Sequence, residues 1–212
     1  MKPVRTILAA LCLCTVFAAA ARADSSAADC LSDDNERRIA GCTEIIENPA
    51  TSPLDRSNAL AMRGLALSIK GLLDRAIDDY NSSLKINPNS PSALNNRAWA
   101  YFRAGRGKEG VPDIEQSLLL NPASEHSWDT RAHIRQLLGN IEGAIRDYEM
   151  AIHLGGEKMI KLYQCGLAER GLYRGQMDGI YSSEVKSAMH TCVRDKTCDP
   201  LPAEEQCKQP MS

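Results

Sequence analysis

Residues 60–88 read LAMRGLALSIKGLLDRAIDDYNSSLKINP, and this stretch decides the fold. Apolar residues recur at helical spacing across 60–67 and again across 73–84. Lys70-Gly71 leaves only a short turn between the two runs, so two amphipathic helices must lie side by side. A step of 34 residues then recovers the same unit. It links Pro88 to Pro122 and Gly156, and Leu60 to Leu94, Trp128 and Leu162. It links Arg63, Arg97 and Arg131, with Cys165 next, and the small residues Gly64, Ala98, Ala132 and Gly166. Ala76, Gly110 and Ala144 keep the step in the second helix, as do Tyr80, Ile114 and Tyr148. Small residues let a neighbouring helix approach closely. No pair can bury its apolar face alone, so stacked pairs share a core.

These offsets of a large apolar residue, a small residue, an alanine, an aromatic and a proline resemble the tetratricopeptide repeat. The fold class expected is all-α: a helical solenoid of this type with a small disulfide-containing helical C-terminal module. Helices are expected near 57–70 and 73–86, 91–104 and 111–120, and 125–138 and 141–154, with a further N-terminal helix around 38–46. In the middle unit, Gly110 and Pro112 predict a helix that starts late and is shortened or kinked. The resemblance implies an extended protein or peptide ligand in the groove lined by the first helix of each pair. By register that groove includes Asn58, Asn95, Trp99, Phe102, His126, Asp129 and His133. Trp99 stands out, because Leu94 already fills the large core slot of its helix. It either anchors a partner or covers the next helix. Trp128 occupies the core slot and reads as structural. The arginine column reads as pairing with carboxylates such as Asp78 or Asp79.

The register continues through Leu162 and Gly166 and fails at Asp178. A helix near 157–170 is expected there, followed by a second near 183–193 with Ser182 as its cap. The segment Tyr163-Gln164, Leu167, Gly171, Tyr173, Gly175, Met177, Asp178-Gly179, Tyr181 and Ala188 is similar to the peptidoglycan-binding-like domain. That resemblance implies glycan recognition through Gln164, Tyr173, Gly175, Asp178, Gly179 and Tyr181. Departures at Ser182 and at Cys192-Val193 leave a second reading open, in which the segment only caps the solenoid.

The N-terminus carries Lys2 and Arg5, an apolar run over 6–21 and Ala21-Arg22-Ala23. This pattern predicts a signal peptide cleaved near Ala23 and a periplasmic or secreted protein with no membrane span after cleavage. Losing Lys2, Arg5 and Arg22 shifts the formal charge from -2 to -5, which argues against a nucleic-acid partner. Of eight cysteines, Cys30, Cys42, Cys165, Cys192, Cys198 and Cys207 remain, an even number that reads as three disulfides. Cys30–Cys42 would staple the N-terminal region. The other four allow three pairings, with Cys192–Cys198 and Cys165–Cys207 preferred because the first pair brackets one turn. No zinc spacing occurs. His126, Asp129 and His133 share a helical face but lack a further metal ligand. With no nucleophile–base pairing, phosphate loop or HExxH, neither catalysis nor a cofactor is expected.

The organisation expected is a signal segment at 1–23 and an N-terminal cap region at 24–56. Three repeat units follow at 57–156, and a capping helix with the peptidoglycan-binding-like segment at 157–212. Function is expected to be that of an exported interaction scaffold with wall binding through its C-terminal module. The alternative is an adaptor, or a subunit or regulator of a wall enzyme, in which that module is only a cap.

Overall fold

The computed structural model describes residues 25–202. The expected signal segment lies outside them, as does Cys207. Among the described residues the regular structure is entirely helical, and no helix is long and apolar enough to cross a membrane. The chain forms two compact units, one ending at Ala93 and the other beginning at Leu94.

The first unit contains a helical stretch at 25–30, then α1 (Asn35–Glu47), α2 (Pro53–Ile69) and α3 (Leu73–Ile86). Helix α2 starts four residues before the expected position 57. Ser52 caps it by accepting from the Asp55 amide at 3.2 Å, and Pro53 stands at its start, where no amide is needed. The small residue of the repeat acts here as expected. A Cβ at Gly64 would lie 2.9 Å from the ring of Tyr80 and 3.2 Å from the Ala76 carbonyl, so α3 sets the Tyr80 ring and its own backbone directly against the bare backbone of α2. Cys30 and Cys42 form a disulfide that ties the 25–30 stretch to α1, with Cys42 fully buried beside Ala59.

Helix α4 (Pro91–Arg103) carries the boundary between the units. The second unit continues with α5 (Gly107–Leu120), α6 (Glu125–Leu137), α7 (Ile141–Glu169) and α8 (Ser183–Arg194). The middle unit corrects the expectation of a shortened helix. Helix α5 begins at Gly107, and Pro112 lies inside it, two residues past the first turn. Pro112 takes a donor only from the carbonyl of Lys108, and both residues are on the exposed face where water can serve instead. Helix α7 bends at Gly156 (φ 56°, ψ −142°), a backbone conformation open chiefly to glycine, and its two halves pack as separate helices. Tyr148, Tyr163 and Leu167 of α7 share a core with Val185, Met189 and Val193 of α8.

One polar interaction repeats in both units. Each arginine of the 34-residue column makes a two-pronged bond to the aspartate sixteen residues later, on the second helix of its pair. Arg63 donates to Asp79 at 2.8 and 2.8 Å, Arg97 to Asp113 at 2.6 and 2.6 Å, and Arg131 to Asp147 at 2.9 and 3.0 Å. The aspartates are buried and the guanidinium ions half-buried, a setting in which the fork geometry matters.

Helix α8 is held by its cap as well as by its core face. Ser182 accepts from the Val185 amide at 3.3 Å. Ser182→Ala is expected to lower stability by about 1 kcal/mol in urea unfolding, with no change in helical content under native conditions.

Candidate interaction site

Position 99 of α4 and position 133 of α6 are 34 residues apart, as are 95 and 129, and 102 and 136. The repeat therefore places Trp99, Phe102 and His133 on equivalent faces of the first helices of two consecutive pairs. Their rings meet: Trp99 and Phe102 are 5.0 Å apart, Trp99 and His133 5.1 Å, and Phe102 and His133 5.3 Å. Trp99 meets the imidazole edge-on, and the Arg103 guanidinium lies 5.9 Å over its indole. Trp99 and Phe102 stay half-buried, so the cluster presents apolar surface. Beside it opens a cavity of about 320 Å³ lined by Phe102, Arg103, His133, Gln136 and Leu137 together with 196–199.

Below this edge lies a buried polar network. His133 is almost fully enclosed, with Nδ1 2.9 Å from the Asp129 carbonyl and Nε2 2.9 Å from the Asp199 carboxylate. The Asp129 carboxylate lies 3.5 Å from His133 Nδ1 and accepts the phenol hydrogen of Tyr163, its counterpart one repeat later. Burial opposes a charged imidazole, but Asp129 and Asp199 outweigh it and push His133 up to about 9. Burial likewise pushes the phenols of Tyr148 and Tyr163 well above their ordinary value. Tyr148 donates to the Gln136 side-chain oxygen at 3.0 Å, which turns the Gln136 amide nitrogen outward.

The remaining groove residues lie elsewhere. Asn58 is exposed on the first unit, His126 is exposed beside Glu125, and Asn95 is half-buried with its amide on Asn96. Among the described residues no three metal-capable side chains come together. Trp128 is half-buried, donates to the Pro122 carbonyl at 2.9 Å and lies under the Arg131 guanidinium at 4.5 Å.

Five of the six residues of the C-terminal motif lie in the loop after α7, and Gln164 reaches that loop from the helix. Gln164, fully buried on α7, donates to Asp178 at 2.8 Å and to the Ile180 carbonyl at 3.3 Å, and accepts from the Gly179 amide at 2.9 Å. The bond from Gln164 and the Ile180 amide hold the Asp178 carboxyl below its ordinary range. Tyr173 donates to the Gln176 carbonyl at 2.6 Å, and Gly175 leaves room for its ring. Tyr181 is half-buried, and burial pushes its phenol up to about 12. Cys192 and Cys198 form a disulfide, and Cys165 is also disulfide-bonded.

The model of the TPR repeat family matches residues 64–105. The chain is 32% identical over 118 residues to the tetratricopeptide repeat protein 36 homolog of Drosophila melanogaster, covering 52% of this chain and 62% of that protein. It is 30% identical over 114 residues to the heat-shock protein cognate co-chaperone sgt12 of Aspergillus fumigatus, covering 54% of this chain and 33% of the relative. It is 24% identical over 155 residues to Hsp70-Hsp90 organizing protein 2 of Arabidopsis thaliana, covering 64% and 27%. The chain thus spans less than two thirds of each of these relatives. Among solved structures, the MamA RS-1 ArsTM double mutant shares the fold with a TM-score of 0.56 at 17% identity, over 82% of this chain and 92% of that one. These relatives overturn the expectation of a periplasmic or secreted protein, because they are eukaryotic proteins, two of them named for chaperone association rather than export. Helix pairs at a 34-residue step, the repeated arginine–aspartate fork and the family-model match over 64–105 lead to one assignment: the fold is a helical solenoid of the tetratricopeptide repeat type.

Proposed function

We propose that the protein is a non-catalytic adaptor that holds an extended segment of a partner protein against α4 and α6 of its second unit. The observation that carries this reading is the cluster of Trp99, Phe102 and His133 beside an open cavity. Half-exposed aromatics next to a cavity offer a large apolar contact at low entropic cost, as interface anchors do. The names of two relatives make Hsp70 and Hsp90 the first partners to test. Trp99→Ala is expected to weaken such binding about tenfold in calorimetric titration while leaving the circular dichroism unchanged. Equal affinity of the variant would remove this site, and absence of binding to either chaperone would remove these two partners.

For the C-terminal module, the proposal is a cap over the last apolar face of α7. Glycan recognition by the motif would need polar groups aimed at a ligand. Gln164 instead spends its amide on Asp178, Gly179 and Ile180, and Tyr173 spends its hydroxyl on the loop that contains it.

A further inference from the structure

The face assigned to a partner already holds a peptide, and that peptide belongs to the same chain. After α8 the segment 195–202 crosses α6 and the second half of α7. The Gln136 side-chain nitrogen donates to the main-chain carbonyls of Asp195 at 3.0 Å and Cys198 at 2.7 Å. His133 Nε2 meets the Asp199 carboxylate at 2.9 Å. Pro200 is buried over Gly166, where a Cβ would collide with the Pro200 carbonyl and lie 2.7 Å from Leu201 C and Pro202 N. One side-chain amide thus spans the two carbonyls of a turn, which the Cys198 amide closes on the Asp195 carbonyl at 3.1 Å. With a basic ring on a carboxylate and a bare glycine under main chain, it grips the segment through its backbone and one acidic side chain, as a groove grips a peptide. The disulfide from Cys192 to Cys198 keeps the segment's effective concentration high without adding a contact to the groove.

We propose that 195–202 is an intramolecular competitor, and that this face accepts an extended partner segment bearing an acidic residue followed by proline once the competitor is displaced. The inference rests on the adaptor reading for the location of the groove and adds its regulation and the chemistry of its ligand. Charge complementarity sets the preference: the groove offers His133, held between carboxylates, and the neighbouring Arg103 at the cavity edge. Asp199 fills the first of these positions and leaves the second open.

Two full-length variants release the segment from different sides. Gly166→Ala pushes against its main chain, and Asp199→Lys sets like charge against His133. The probe is a fluorescent peptide of residues 195–202 with Cys198→Ser, read by anisotropy. Release is read by hydrogen exchange at the amides of Thr197 and Leu201, whose turn bonds to Asp195 and Asp199 docking holds in place; in Asp199→Lys, which removes the Leu201 acceptor, Thr197 alone is read. The expected result is faster exchange in each folded variant and at least tenfold tighter peptide binding than wild type, lost when the peptide carries Asp199→Asn. Faster exchange without tighter binding overturns the proposal. So does unchanged exchange in both variants, which makes the segment a fixed part of the unit. Circular dichroism identifies a variant that fails to fold, and the other then decides. Hsp70 and Hsp90 separate the two readings. Equal chaperone affinity in wild type and variants leaves the adaptor and removes the gate. Peptide binding that is gated, with no chaperone binding by any form, removes the chaperone partners and leaves the gate.

Discussion

Asp147→Ala is expected to cost about 3–5 kcal/mol of folding free energy, a large part of what a domain of this size has to lose. The Asp147 side chain is 3% exposed, accepts from Arg131 at 2.9 and 3.0 Å, and forms an ion pair with Arg135 at 2.7 Å. Those arginine side chains are only 12% and 27% exposed, so neither recovers full hydration when its partner is removed. Arg131 and Arg135 would share only the half-exposed Glu115, at 2.8 and 3.6 Å, so the cost comes from leaving two partly buried charges undercompensated more than from losing the attraction. Asp79→Ala in the first unit removes the partner of one arginine, 22% exposed, and is expected to cost less. Urea unfolding of the two variants checks the order. A loss below about 1 kcal/mol at Asp147 would mean that both guanidinium groups swing out to water.

The arginine column was legible because three residues keep one period, but its partner was not resolved between Asp78 and Asp79. The same step decides it, since Asp113 and Asp147 continue from Asp79 while Asp78 leads to Pro112 and Arg146. Helix pairs were legible for the same reason, because stacking makes each unit repeat its neighbour's packing. Helix starts were less so: Ser52-Pro53 is a start signal placed outside the register, and Pro112 hid the first turn of α5. In the site, the step from Trp99 to His133 foretells the meeting of two rings. The docked segment leaves no such mark. Asp199 reaches His133 from 66 residues away, through a chain reversal set by α8 and the Cys192–Cys198 bond. Gly166 fits the small-residue column, yet the space it provides is taken by Pro200 and Leu201 rather than by a neighbouring helix. One residue thus satisfies the repeat in sequence and a tertiary contact in space.

Raising the pH from about 6 to about 9.5 is expected to remove roughly 3 kcal/mol of stability through His133. Both ring nitrogens face acceptors, the Asp129 carbonyl at 2.9 Å and the Asp199 carboxylate at 2.9 Å, so both must carry hydrogen and the ring is an imidazolium. The groups facing it are Asp129 on its own helix, Asp199 of the C-terminal segment, Tyr148 and Tyr163 of α7, and the uncharged rings of Trp99 and Phe102 of α4. Burial alone would expel the charge. The two carboxylates outweigh it and raise the folded-state pKa to about 9, against the ordinary 6.5. A raised pKa means that the folded protein holds this proton more tightly than the unfolded chain does. The contribution is therefore complete below about pH 6.5 and lost as the pH rises through about 9. The phenols of Tyr148 and Tyr163 titrate well above this window and stay silent in it. On the acid side, burial opposes the Asp199 carboxylate, but the bond from His133 outweighs it and holds its pKa below the ordinary range. Its contribution is present above that range and lost as the pH falls into it. Docking should thus be tightest in mildly acidic to neutral solution and loosen in alkali, where protection at the Leu201 amide, relative to the intrinsic base-catalysed rate, should fall first. Urea midpoints of wild type and His133→Gln at about pH 6 and about pH 9.5 provide the check. An equal loss in the variant would assign the pH dependence to other groups, and a flat wild-type profile would mean that the imidazolium is no better held here than in water.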